Sequence, residues 1–155
     1  MVYDETYWDI VWSRKYEKYN RHHASVWQAV VPFLKGRVLD LGCGPCVIYK
    51  GQDVDLTGVD QSGEALKQAK LNYPNGTYVK ADVLSTGLPD NQYDTIIMLG
   101  LLDYFEDWGP ILNEARRLKK PDGKIVATLL NGYEGHDWTK NPHITSNWYL
   151  YTEGG

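Results

Sequence analysis

Two chemistries share the residues from Val38 to Cys46, Val-Leu-Asp-Leu-Gly-Cys-Gly-Pro-Cys. Asp40-x-Gly42-x-Gly44 closes an apolar run, and a glycine-rich turn there lets backbone N–H groups approach a nucleotide-bearing cofactor at the positive end of a following helix. Cys43-Gly44-Pro45-Cys46 spells a dithiol in the same letters, and a helix N-terminus would activate it by lowering the first thiol's pKa. Asp60 and Asp82 end the next two apolar runs. Asp60 is suited to accept from paired ribose hydroxyls, and Asp82 from an adenine amino group. Open α/β sheets bind ligands at the carboxyl ends of their strands, where all three acids fall. The dithiol reading finds no use for Asp60 or Asp82. It also lacks a tryptophan before Cys43, where Gly42 stands, and a later cis-proline segment. A dinucleotide pattern G-x-G-x-x-G/A would require a small residue in place of Val47.

These residues need strands to carry them. Short apolar runs predict five, at Arg37 to Leu41, Asp55 to Val59, Thr77 to Ala81, Thr95 to Leu99 and Lys124 to Leu130. Between them, Ser62 to Tyr73 aligns Leu66, Ala69 and Tyr73 on one helical face, and Pro110 to Lys120 aligns Ile111, Ala115 and Leu118 behind an N-terminal proline. Pro121-Asp122-Gly123 predicts a turn into the last strand. Strands alternating with helices imply βαβ units, and hence a mainly parallel sheet with right-handed crossovers. Residues 5 to 31 hold no Gly or Pro and space Trp8, Val11, Trp12, Lys15, Tyr16 and Tyr19 by three and four, which predicts a helical cap of one or two helices.

At 155 residues the chain fits one domain. Its expected parts are a cap at 1–34, a cofactor-binding core at 35–131 and a short irregular segment at 132–155. A formal net charge of -4 with scattered Lys and Arg argues against nucleic acid. No apolar run approaches a membrane span, and Asp4, Glu5 and Asp9 stand where a signal peptide would be basic, so the expected location is the cytoplasm. Two cysteines and four histidines give no zinc pattern, so no metal is expected. Six Trp and twelve Tyr against two Phe cluster near both ends. Rings with polar tips either cover a core from its edges or line a pocket.

The chain resembles the class I S-adenosylmethionine-dependent methyltransferases, particularly the broad small-molecule group. The resemblance is carried by Val-Leu-Asp-Leu-Gly-Cys-Gly from Val38, Gly-Val-Asp from Gly58, Lys-Ala-Asp-Val from Lys80, Leu-Pro-Asp-x-x-Tyr-Asp from Leu88, and Leu-Lys-Lys-Pro-Asp-Gly-Lys from Leu118. It implies an α/β, Rossmann-like fold with flanking helices and S-adenosylmethionine as cofactor. Asp40, Gly42, Cys43 and Gly44 would surround the methionyl part, with Gly100 closing that end. Asp60 would hold the ribose, Gln61 would pack on the adenine, and Asp82 with the Val83 backbone would read the adenine edge. Each acid also has an ordinary use in capping or closing a turn.

The departures from the family pattern are local. Cys46 stands where a third glycine is usual, Asp40 to Asp60 is about one helical turn short, and Asp103-Tyr104 replaces the commonest histidine pair after the fourth strand. A clipped helix after the first strand is therefore expected. Methyl transfer from a sulfonium is an in-line displacement, so a base is needed only for a protonated nucleophile. Asp103 and Tyr104 are the first candidates to orient the acceptor. Others are Glu106, His136, His143, Tyr7, Trp8, Trp12 and Arg21. There is no Asn-Pro-Pro-Tyr or Asp-Pro-Pro-Tyr segment, and with the acidic balance this favours a small-molecule acceptor. Resembling proteins continue past the fifth strand with a helix and two further strands, which appear here as missing or reduced. Either Ile144 to Tyr151 supplies an edge strand, or the fifth strand lies open and invites a homodimer. The alternatives are a domain that binds the cofactor without turnover and, more remotely, a thioredoxin-like dithiol oxidoreductase.

Overall fold

A computed structural model of the chain describes residues 4–15, 23–130 and 148–154. Six strands form one sheet: β1 (Arg37–Leu41), β2 (Asp55–Asp60), β3 (Thr77–Lys80), β4 (Tyr93–Leu99), β5 (Lys119–Leu130) and β6 (Trp148–Gly154), in the order β3-β2-β1-β4-β5-β6. The first five run parallel, and β6 pairs antiparallel with β5 from Lys124↔Gly154 to Leu130↔Trp148. The fold is thus Rossmann-like with a sixth, antiparallel strand beyond the five expected. Its described part, Trp148–Gly154, takes up the edge of β5, so the open edge imagined for a homodimer is already paired, while residues 144–147 lie outside the described set. The tail 132–155, expected to be irregular, ends in this strand.

Burial on both faces explains why the parallel strands read as apolar runs. Leu39 and Leu41 of β1 face the layer that holds Ile111, Ala115 and Leu118 of helix α4 (Gly109–Leu118). Val38 faces the opposite layer, with Val30 of α2 (His23–Val30) and Ala69 of α3 (Gly63–Asn72). Asp40 falls on the Val38 face by the two-residue alternation of a strand. Helix α3 starts where the sequence placed it, because the Ser62 side chain accepts from the Ala65 N–H.

Helix α1 (Glu5–Lys15) packs against α3 and over the turn that follows β1. Asp9 accepts from the Ser62 hydroxyl at 2.5 Å and from the Glu64 N–H at 3.2 Å, Gln68 donates to the Trp12 carbonyl, and Lys80 pairs with Glu5. The helical cap is thus two helices, with residues 16–22 outside the described set.

One local expectation is corrected, and a second is carried further than expected. Pro121-Asp122-Gly123 does not separate α4 from the last strand. Lys119 already pairs with Tyr93, the register shifts before Lys124↔Thr95, and the three residues form an irregularity within β5. The second concerns the segment after β1. A 3-10 turn at Val47–Tyr49 is all the helix that remains there. The expected clipping is therefore nearly complete, and aromatic rings occupy that layer instead. Trp27 of α2 meets Tyr49 edge-on at 5.6 Å, and Tyr73 lies 6.0 Å from Tyr49.

Candidate functional site

The strand order reverses direction at β1, which lies between β2 and β4, so the turns after β1 and β4 diverge and leave a crevice at their carboxyl ends. Gly42, Cys43, Gly44, Asp60 and Gly100 all belong to this region. The Gly42 and Cys43 N–H groups both donate to the Val59 carbonyl, at 2.8 and 3.0 Å. The Gly44 N–H donates to Asp60 Oδ2 at 2.9 Å, and the Ser62 N–H donates to Oδ1 at 2.9 Å. Asp60 therefore ties the turn after β1 to the junction between β2 and α3. Burial raises its carboxyl above the ordinary value, the backbone N–H bonds from Ser62, Gly44 and Gln61 pull it back down, and the Asp9 charge adds to the rise.

Glycine is required in the turn for two reasons. Gly42 has φ +70°, and a Cβ on it would stand 2.9 Å from Leu101 Cδ1, which brings the β4 loop against the β1 turn. Gly44 has φ +54°, with Trp12 of α1 lying over it at 3.2 Å from the position of a Cβ. Gly58 of β2 has no side chain because Cys43 Sγ occupies that space, 2.8 Å from where a Cβ would be.

The same geometry removes the dithiol reading. Cys46 precedes only a three-residue 3-10 turn, so no α-helix dipole acts on the pair. Burial, reinforced by the neighbouring Cys46 and by Asp60 and Asp40, holds the Cys43 thiol well above the usual range, opposite to what a redox nucleophile needs. Cys46 adopts φ +56° and ψ +30°, the left-handed conformation that a glycine would take without strain. We expect Cys46→Gly to change stability by less than about 1 kcal/mol, because relief of backbone strain offsets the loss of a buried sulfur. Thermal unfolding of the two proteins checks this, and a loss several times larger would show that the thiol packing dominates.

Asp40 is the unusual acid. Tyr49 donates its hydroxyl to Asp40 Oδ2 at 2.6 Å, whereas no described group donates to Oδ1, although that atom is buried. Burial pushes the Asp40 carboxyl up to about 7, against the lowering effect of the Tyr49 bond and with a further upward push from Asp60. Neither Tyr49 nor Asp9 stands out in the sequence. Tyr49 lies in the segment expected to be a helix, and Asp9 reaches Ser62 from 53 residues away in the chain.

The remaining candidates fall into three groups. Gly100, at φ +62°, ends β4 and donates its N–H to Thr128 Oγ1 at 2.9 Å. Asp103 and Tyr104 form the following 3-10 turn, Leu102–Tyr104, where the Tyr104 ring meets Trp8 edge-on at 4.9 Å, and Trp8 in turn stacks with Trp12 at 6.4 Å. The aromatic residues of α1 thus cover the ends of β1 and β4 together. Gln61 is half-buried after Asp60. Asp82 lies two residues beyond β3, is exposed, and closes its own turn by accepting from the Leu84 N–H at 2.9 Å, while Val83 is buried in the core. Glu106 is exposed. Arg21, His136 and His143 lie outside the described residues. Among the described residues no cluster of His, Cys, Asp and Glu could hold a metal ion, and no helix is long and apolar enough to cross a membrane.

A family model described as a methyltransferase domain matches residues 39–127, more than half of the chain. The chain belongs to the methyltransferase family. Curated relatives of this methyltransferase chain include the ubiquinone biosynthesis O-methyltransferase of Thiobacillus denitrificans, 28% identical over 108 residues that make up 64% of the chain and 47% of the relative. Another is the malonyl-(acyl-carrier protein) O-methyltransferase of Enterobacter lignolyticus, 27% identical over 122 residues, covering 74% of the chain and 49% of the relative. The methyltransferase chain thus spans about half the length of these proteins. Among solved structures, an S-adenosylmethionine-dependent methyltransferase from Mesorhizobium loti is 26% identical, with a TM-score of 0.58 over 68% of this chain and 52% of that one. One from Thermotoga maritima shares the fold at a TM-score of 0.69 and 20% identity, over 81% and 61% of the two chains. S-adenosylmethionine is the cofactor of the family.

Proposed function

We propose that this chain binds S-adenosylmethionine across the carboxyl ends of β1, β2 and β4 and directs its methyl group to a small-molecule acceptor. The observation that carries the reading is the unsatisfied, buried Asp40 Oδ1 in a turn that Asp60 ties to β2. A buried carboxylate oxygen without a donor is costly, and a ligand with an α-ammonium group supplies one, so the residues present fit the cofactor. Small-molecule chemistry is further favoured by relatives named for ubiquinone biosynthesis and for trans-aconitate methylation.

Asp40, Gly42, Cys43 and Gly44 would hold the methionyl part, with Gly100 opposite. Asp60 accepts from the backbone N–H groups of Gly44, Ser62 and Gln61, and a carboxylate has about four lone-pair sites, so one remains that would receive a ribose hydroxyl. Gln61 would lie along the adenine, with Asp82 and the Val83 backbone at its edge. When bound, the sulfonium supplies an already activated methyl carbon, which leaves alignment and water exclusion to the protein. Trp8, Trp12 and Tyr104 exclude water from the ends of β1 and β4, and Asp103 with Tyr104 orients the acceptor or takes its proton when the nucleophile carries one.

Calorimetric titration with S-adenosylhomocysteine, followed by product analysis with hydroxyl, amine and thiol acceptors, tests the reading. Binding with turnover of one acceptor class is the expected result. Binding without turnover across the panel would leave a cofactor-holding domain, and no binding would remove both.

A further inference from the structure

The buried tyrosine that replaces the helix after β1 donates to Asp40, a buried acid whose second oxygen receives no hydrogen bond from any described group. Resting on the function proposed above, we infer that Tyr49 is a positioning residue for cofactor capture. Its hydroxyl holds Asp40 by Oδ2 and thereby reserves Oδ1 for the α-ammonium group of an amino-acid ligand. Three observations carry this. Asp40 is only 2% exposed and no described group donates to its Oδ1, which leaves a buried acceptor unsatisfied. The Tyr49–Asp40 bond is 2.6 Å long, the distance of a hydroxyl donating to a charged oxygen. Tyr49 is itself fixed: it is fully buried, its ring is held by Trp27 at 5.6 Å and Tyr73 at 6.0 Å, and the Tyr73 hydroxyl is anchored to the Val54 carbonyl at 2.6 Å.

The aromatic trio therefore performs what a helix would otherwise do, which is to support the turn from beneath. It adds a hydroxyl that a helix packed through aliphatic side chains would not offer. Cys46, in its left-handed conformation, immediately precedes the 3-10 turn that carries Tyr49. The shortened interval between Asp40 and Asp60 and the tyrosine are thus parts of one arrangement.

The arrangement has a signature in pH. The described titratable groups that bear on Asp40 are Tyr49 of the 3-10 turn, Asp60 of β2 and the Cys43 thiol of the turn, with Cys46 beside both Cys43 and Tyr49. Burial holds the Cys43 and Tyr49 protons well beyond neutrality, Tyr49 also being raised by Asp40. Asp40 is left to titrate near pH 7. Its carboxylate is the form that accepts an ammonium group, so affinity should rise with pH through the Asp40 midpoint. Loss of the Tyr49 bond removes a lowering influence, and the midpoint should then move upward.

The test is Tyr49→Phe, which keeps the ring and removes only the hydroxyl, titrated with S-adenosylhomocysteine between pH 5.5 and 9. In parallel, the Asp40 carboxyl of the ligand-free protein is followed by carbon NMR and assigned with Asp40→Asn. We expect affinity at pH 7 to fall about fivefold relative to the parent and the gap to close toward pH 9, with the carboxyl midpoint raised by about one pH unit. Equal weakening at every pH with an unmoved carboxyl midpoint would mean that Tyr49 only packs, and overturns the inference. Unchanged binding does the same. Failure of the parent protein to bind at all overturns the functional reading instead, and the carboxyl titration reports separately whether Tyr49 governs Asp40.

Discussion

Asp60→Ala is expected to lower affinity for S-adenosylhomocysteine by about 100-fold or more in calorimetric titration, and Asp82→Ala to lower it by about tenfold. The difference follows from what each acid holds. Asp60 is buried and joins the Gly44 N–H to the Ser62 N–H, so its loss frees the glycine turn from β2 and leaves both amides without their acceptor. In the proposed cofactor pose the ribose hydroxyls would lose their charged partner at the same time. Hydrogen bonds to a charged group contribute about 1.5 to 3 kcal/mol each, and two such losses exceed what a hundredfold change requires. Asp82 is exposed and already serves its own turn through the Leu84 N–H, so one solvent-accessible contact is at stake. Circular dichroism of the Asp60 variant checks that it remains folded. A folded Asp60→Ala protein binding within threefold of the parent would remove Asp60 from the cofactor site.

Asp40→Asn has opposite effects on binding and on stability. Binding falls because the amide carries no charge for an ammonium group. Stability of the ligand-free protein rises at alkaline pH, because ionising a buried carboxyl opposes folding. The sign follows from the raised folded-state pKa. In the unfolded chain the group ionises near 3.8, whereas in the folded protein it does so at about 7. Below the unfolded value the two states carry the same proton and Asp40 carries no penalty. As pH rises from there through about 7, the unfolded chain releases its proton first and the folded state loses relative stability. The full penalty is on the order of 4 kcal/mol from 1.4 kcal/mol per pH unit. The asparagine recovers only part of it, since its NH2 group also needs an acceptor. A gain of about 1–2 kcal/mol at pH 8, or roughly 5 °C in Tm, is expected, fading to nothing near pH 4. Parallel unfolding curves for the two proteins across that range would show that Asp40 carries no buried charge.

Much of the sheet was readable from residue type alone. Arg37–Leu41 forms a strand as expected, and β2 and β4 extend the predicted runs by only one and two residues. Strands buried on both faces must be apolar throughout, and turns between them must break that run, so the pattern survives in one dimension. Where the pattern misled, long-range pairing had prevailed. Pro121-Asp122-Gly123 has turn chemistry, yet Lys119 is drawn into β5 by Tyr93 and the turn becomes an irregularity inside a strand. The last strand is an edge with mixed sequence, Trp-Tyr-Leu-Tyr-Thr-Glu-Gly, and its partner β5 rather than its own composition makes it a strand.

The site divides in the same way. The sequence by itself determined the family pattern, the parallel order of acids and glycines, and the position of Asp40, Gly42, Gly44 and Asp60 at strand ends, because each depends on the spacing of residues along one strand and the turn that follows it. Only the tertiary structure decided between the two chemistries of residues 43–46. A thiol becomes reactive through its surroundings, and here those are burial, a 3-10 turn in place of a helix, and two nearby carboxylates. Tertiary structure also paired Tyr49 with Asp40 and laid Trp12 over Gly44, contacts set by how separate elements pack rather than by any local preference of the chain.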